Sequence, residues 1–175
     1  MLPRGTRSIR EGSEVMTVEM KIKGLMIDPV TQMPIIILKD PNGDAVLPIW
    51  VGLFEANAIA LQMEKIPTPR PMTHDLLKSV LTHLDASIKK IVISDLKENT
   101  FYAVIHMVHH GDTLLVDSRP SDAIAVALRA DAPIFVEEEV ISRAKSVDMP
   151  QDASESDRLR QWLEKLDPDD LGKVM

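Results

Sequence analysis

Polar and apolar residues alternate over positions 16–27, where Val18, Met20 and Ile22 are separated by Thr17, Glu19, Lys21 and Lys23. That period of two predicts a half-buried strand, which Asp28-Pro29 ends. An Ile-rich run at 34–39 and a second apolar run at 45–51 flank Pro41-Asn42-Gly43-Asp44. Asn-Gly between two β-rich runs predicts a hairpin. After Gly52, residues 53–65 are apolar and rich in Ala, with Ala56, Ala58 and Ala60 free of β-branching, so they predict a largely buried helix. Pro67, Pro69 and Pro71 forbid its continuation and form a stiff connector. Thr73 is the expected N-cap of a second helix reaching about 85, whose Leu76, Leu77, Val80, Leu81 and Leu84 form one apolar stripe.

Runs at 88–96 and 100–109 predict a hairpin around Glu98-Asn99, and 114–117 predicts a short strand after Gly111-Asp112. A third helix is expected over 121–130, with Ile124, Ala127 and Leu128 on one face and mostly Ala and Val elsewhere. It should be covered on most sides. A brief strand at 133–136 precedes a fourth helix at 137–144, whose three leading Glu suit the positive end of the helix dipole. Residues 146–155 read as a linker, and 158–166 as a short amphipathic helix striped by Leu159, Trp162, Leu163 and Leu166. Strands in hairpin-like runs, interrupted by helices, predict an α+β fold with a mainly antiparallel twisted sheet and helices packed on it. The division follows as a disordered lead over 1–15, upstream of a start at Met16, a domain over 16–147, and an acidic linker with a C-terminal helix over 148–175.

Composition narrows the chemistry. The 175 residues contain no Cys, which excludes disulfides, Cys-based zinc sites and thiol nucleophiles. Aromatics amount to 3%, too few for a platform on which single strands stack. The net charge of −7 argues against a broad basic face for nucleic acid. Its distribution softens that argument: residues 137–175 hold 11 Asp and Glu against 6 Lys and Arg, five of the seven net negative charges. Any contact with nucleic acid must then be local. No apolar run approaches the ~18 residues that span a bilayer, so no membrane partner is expected and a cytoplasmic setting is.

Two segments are alike. Arg70-Pro71-Met72-Thr73-His74-Asp75 and Arg119-Pro120-Ser121-Asp122 each lead, by Arg-Pro and a hydroxyl residue, into a helix with an early Asp. A guanidinium beside orphan backbone N–H groups can bind phosphate, so Arg70 and Arg119 with Thr73 and Ser121 are candidate phosphate ligands. Equally, each Arg can pair with a nearby carboxylate and pin its helix. Hydrolysis of phosphodiesters commonly uses divalent metal held by carboxylates, which makes Glu55, Asp75 and Asp122 candidate ligands and catalytic groups. Asp95 and Asp117 lie near strand ends, and none of the five has a recognisable metal-binding spacing. Glu55 stands out, because an acid in an Ala-rich buried helix needs a partner, either a metal or an arginine such as Arg70 or Arg119. His74, between Thr73 and Asp75, can carry a proton or serve only the helix start. His106, His109 and His110 read as strand and exposed turn. With seven Gly and no Gly-rich phosphate loop, no organic cofactor is expected.

Leu47-Pro48-Ile49-Trp50-Val51-Gly52, Glu55-Ala56, the two Arg-Pro segments and Phe101-Tyr102-Ala103 resemble, in order and spacing, the bifunctional nuclease family (the BFN domain) over about 16–147. Arg158-Leu159-Arg160-Gln161-Trp162-Leu163 is similar to the tail of bacterial members. The resemblance implies a compact α+β domain that associates with itself, and a nuclease acting on DNA, RNA or both with Mg²⁺ or Mn²⁺. The same residues also allow a non-catalytic, self-associating binding module in which they form a structural ionic network.

Overall fold

The computed structural model describes residues 15–147. The expected terminal helix at 158–166 and nearly all of the expected lead lie outside them. Within them the chain forms β1 (Thr17–Ile27), β2 (Pro34–Lys39), β3 (Val46–Trp50), α1 (Leu53–Met63), α2 (Thr73–His83), β4 (Ala86–Lys97), β5 (Thr100–His109), β6 (Asp112–Ser118), α3 (Pro120–Ala130), β7 (Ile134–Glu137) and α4 (Glu138–Val147). The α+β class follows, as the hydrophobic pattern indicates.

The strands make one seven-stranded sheet in the order β3-β2-β1-β7-β4-β5-β6. Every pairing is antiparallel except that of β4 with β7. That parallel pair requires a crossover, which α3 supplies: it carries the chain from edge strand β6 back over β5 and β4 to β7. β1 serves two neighbours, pairing by its first residues with β7 and by its later ones with β2, with an irregularity between Ile22 and Gly24. α4 touches β4 and β7 and also reaches β3 at one edge, so the sheet is strongly bent.

The core is continuous from Ile36, Leu38 and Leu47 through Ile91 and Ile93 to Ile124 and Val136, all essentially without solvent contact. α3 sits at its centre with α1 and α2 on either side. Ala56, Ala58 and Ala60 of α1 and Ala123, Ala125 and Ala127 of α3 are all buried, and such small side chains let helix backbones approach closely.

α2 departs from its pattern. Leu76, Leu77, Val80 and Leu84 are 41–58% exposed, and His74 is its only buried residue. The stripe is real, but the helix rests on α3 and the start of β4 by its other side, with Leu81 alone of the five reaching the core. α1 differs too, since Leu53 and Phe54 at its start point to solvent. Glu137 ends β7, leaving Glu138 and Glu139 in the first turn of α4. No helix among the described residues is long and apolar enough to cross a membrane.

Candidate functional site

The first turns of α1, α2 and α3 converge. Arg119 occupies the N-cap of α3 with Pro120 at the first helical position, where its missing N–H costs nothing. Ser121 is therefore inside the helix and buried, and makes no cap. Likewise α2 starts from Met72 rather than Thr73. There the Asp75 carboxylate accepts the Met72 backbone N–H at 2.9 Å, closing the helix start in place of the expected threonine hydroxyl. A hydroxyl cap fails at both places because proline and the arginine or methionine beside it set the extended residue one or two positions earlier.

Arg119 ties the start of α3 to α1. Its Nε donates to Asp122 Oδ2 at 2.7 Å and its Nη2 to Glu55 Oε1 at 2.6 Å. The other oxygen of Asp122 meets His74 Nε2 at 3.0 Å. The order is thus Glu55 (α1), Arg119 and Asp122 (α3), His74 (α2). Exposure is greatest at Arg119, whose side chain is 65% exposed, and falls from there through Asp122 to His74, at only 10%. Burial pushes the Asp122 carboxyl up, but the hydrogen bonds and charges of Arg119 and His74 outweigh it and hold the carboxyl below its usual range. Hydrogen bonds from Arg119 to Asp122 and Glu55 raise the guanidinium further still. Gly52 contributes by lacking a side chain, since a Cβ there would run into the Glu55 carboxylate lying over the start of α1.

A second arginine, Arg129, locks the arrangement from below. Its side chain is 4% exposed; Nε donates to Asp75 Oδ1 at 2.6 Å, Nη1 to the Ala125 carbonyl at 2.9 Å and Nη2 to the Ala58 carbonyl at 3.1 Å. Burial alone would raise the Asp75 carboxyl, yet the Met72 N–H and Arg129 bring it below its usual range. Arg129 is not among the residues that the sequence pattern singles out. A signal was present: a charged residue in a helix expected to be covered on most sides demands partners, the argument applied to Glu55.

Of the residues singled out by pattern, Glu55, His74, Asp75, Arg119 and Asp122 are brought together. Arg70 is not: it is exposed, and among the described residues its side chain makes no hydrogen bond or ion pair. Thr73 is exposed as well. Asp95 lies elsewhere, paired with Lys97 and Arg143, and Asp117 is exposed on β6. His110 leaves the strand for a turn, its ring 4.0 Å from that of His109.

The cluster can do two things chemically. Arg119 offers an exposed guanidinium whose Nη1 makes no hydrogen bond among the described residues. His74 is oriented by a carboxylate at one ring nitrogen, leaving Nδ1 for proton transfer. As arranged, it does not fit a divalent metal. No three His, Asp or Glu side chains among the described residues form a metal-holding group, and Glu55 and Asp122 instead face the same guanidinium.

A family model described as the bifunctional nuclease domain matches residues 36–148. An uncharacterized protein of Mycobacterium tuberculosis strain H37Rv is 36% identical over 163 residues, 87% of this chain and 97% of that protein. Bifunctional nuclease 1 of Oryza sativa subsp. japonica is 25% identical over 132 residues, 73% of this chain but 40% of the rice protein. Bifunctional nuclease 1 of Arabidopsis thaliana is 24% identical over 132 residues and is covered to 41%. The chain therefore spans less than half of the plant proteins.

Proposed function

Because the chain belongs to the bifunctional nuclease domain family, we propose that it hydrolyses phosphodiester bonds of DNA, RNA or both at the Arg119–Asp122–His74 cluster. One observation carries the reading: a single carboxylate, Asp122, joins an exposed arginine on α3 to a histidine on α2. Arg119 takes the phosphate oxygens, helped by the N-terminal end of α3. His74 Nδ1 removes a proton from the attacking water, and Asp122 stabilises the imidazolium that results. The phosphorus–oxygen bond to the leaving group then breaks, and the imidazolium returns the proton to that oxygen. No step is routed through a metal; a requirement for Mg²⁺ or Mn²⁺ is read directly in the assay. On this reading the protein works in the cytoplasm.

The test is cleavage of single- and double-stranded DNA and RNA, with Mg²⁺, Mn²⁺ or chelator, by the purified chain and by His74→Gln, Asp122→Asn and Arg119→Gln. Each substitution is expected to lower the rate by about 100-fold or more while the protein stays folded. Undiminished cleavage by folded His74→Gln and Asp122→Asn would remove this site from the reaction.

A second reading is favoured by a different observation: Glu55, Asp75 and Asp122 are all paired with arginine. In it the network only pins three helices together, and the protein is a non-catalytic, self-associating binding module. It predicts no cleavage by the native chain in any metal condition, with the same three substitutions lowering stability.

A further inference from the structure

The start of α1 carries two large apolar side chains that the core does not take up. Leu53 and Phe54 are 67% and 85% exposed, in a first turn where polar and acidic groups are the usual occupants. Five aromatic side chains lie among the described residues. Phe101, Tyr102 and Phe135 are half-buried, and Trp50 is held at the sheet edge by its indole N–H, which donates to Asp28 Oδ2 at 3.1 Å. Phe54 alone of the five is almost wholly in solvent.

The position of that ring points to a use. Phe54 precedes Glu55, whose Oε1 accepts from Arg119 Nη2 at 2.6 Å. Arg119 meets α1 there, and Arg129 meets it further on at the Ala58 carbonyl, so α1 and α3 run in the same sense and begin side by side. One side chain, Glu55, thus bridges the backbone beside Phe54 to the guanidinium and sets an exposed ring next to an exposed cation. The Glu55 carboxylate also lies over the first turn of α1, where the missing side chain of Gly52 leaves it room. An anion is therefore turned away from that helix end and toward Arg119.

We propose that Phe54 is a base-stacking residue of the Arg119 site: an unpaired nucleobase rests on its ring while a phosphate of the same strand takes the guanidinium. This rests on the reading of Arg119–Asp122–His74 as the phosphate site, and it names the substrate class as single-stranded nucleic acid. A base inside a duplex is paired and already stacked, so it reaches a protein ring only after unstacking. An unpaired base is free to do so, and because every base has a π-face the contact is tolerant of sequence. One ring is no platform for a run of bases, in keeping with the scarcity of aromatics. It suffices for the single base beside the bound phosphate. A protein is the poorer occupant, since a stable interface buries roughly 1,000 Å² or more and the apolar surface at the start of α1 is two side chains.

Binding measured without cleavage separates the subsite from the chemistry. The full chain carrying His74→Gln is titrated in chelator against labelled oligothymidylate, oligouridylate, a strand of the same length without bases, and a duplex, with fluorescence anisotropy as the readout. Strands with bases should bind about tenfold more tightly than the baseless strand. Adding Phe54→Ala should weaken only the single strands that carry bases, and Phe54→Trp should restore their affinity. The indole introduced by Phe54→Trp should be quenched by those strands and not by the baseless one. Arg119→Gln should weaken every strand. Equal affinity with and without bases, a preference that survives Phe54→Ala, or no binding at roughly tens of micromolar protein overturns the proposal. The last result would leave Leu53 and Phe54 to a protein partner. Phe54-dependent binding by a native chain that cleaves nothing upholds the subsite and removes the chemistry assigned to the cluster.

Discussion

Arg129 and Gly52 set the site by opposite means, one by reaching three partners and the other by having no side chain. Removing the guanidinium in Arg129→Met leaves Asp75 without its cation and two carbonyls without a donor. We expect a loss of about 3 kcal/mol in urea denaturation, the low end for breaking a buried pair, because Asp75 still reaches water. Arg129→Lys should recover little of it, since an ammonium cannot span a carboxylate and two carbonyls as the fork does. Gly52→Ala is expected to leave the fold intact but dislodge Glu55 from Arg119, read as loss of that contact in a crystal structure of the variant. At this scale the sequence was informative where a charged residue stood against an apolar background. It was silent on which arginine answers which acid, because partners on α1, α2 and α3 are far apart in the chain and meet only after the helices pack.

The turns show which local signals decide an element and which do not. Asn42-Gly43 correctly marks a hairpin, yet neither residue has a positive φ, and the loop spans Asp40 to Ala45 around an Asp40 side chain that accepts the Asn42 N–H. The tight two-residue turns with positive φ are Glu98-Asn99 and His110-Gly111. Glu98 is poorly suited to φ 48. The double change E98N with N99G should therefore stabilise the protein by about 1 kcal/mol in thermal or urea unfolding. Helix periodicity was equally legible in α2 and α3, but periodicity gives a face, not what covers it. Accordingly Leu77→Gln is expected to change monomer stability by no more than about 0.5 kcal/mol, whereas Ile124→Ala, with no exposed surface, should cost about 2–5 kcal/mol.

For the molecule as a whole, the lowered carboxyls set the response to acid. Asp28 falls to about 2 through hydrogen bonds from Thr31, the Val30 N–H and Trp50, while Asp75, Asp95 and Asp122 are also below their usual range. A group with a depressed folded value adds stability that is complete above its unfolded pKa, about 3.9 for Asp. That stability disappears as pH falls through the folded value. The urea midpoint should therefore be nearly flat from pH 7 to about 5 and drop steeply below about 4. The overall α+β class was legible because strand and helix periods differ. The strand order was not, since inserting β7 between β1 and β4 is a choice of packing that no local pattern records.

α3 is the crossover of the sheet, and it holds Arg119 at one end and Arg129 near the other, with the residues between them almost wholly buried. A helix with no wet face cannot fray by itself, so the cluster it carries has no private route to opening. The amides of Ile124 to Ala127 should exchange with solvent only through global unfolding. The His74–Asp122 contact should be lost at the same denaturant concentration as the far-ultraviolet signal. Function here would be lost all at once, with no softened, half-competent state before the collapse, and any tuning of the site must come from single side chains on a frame that does not bend.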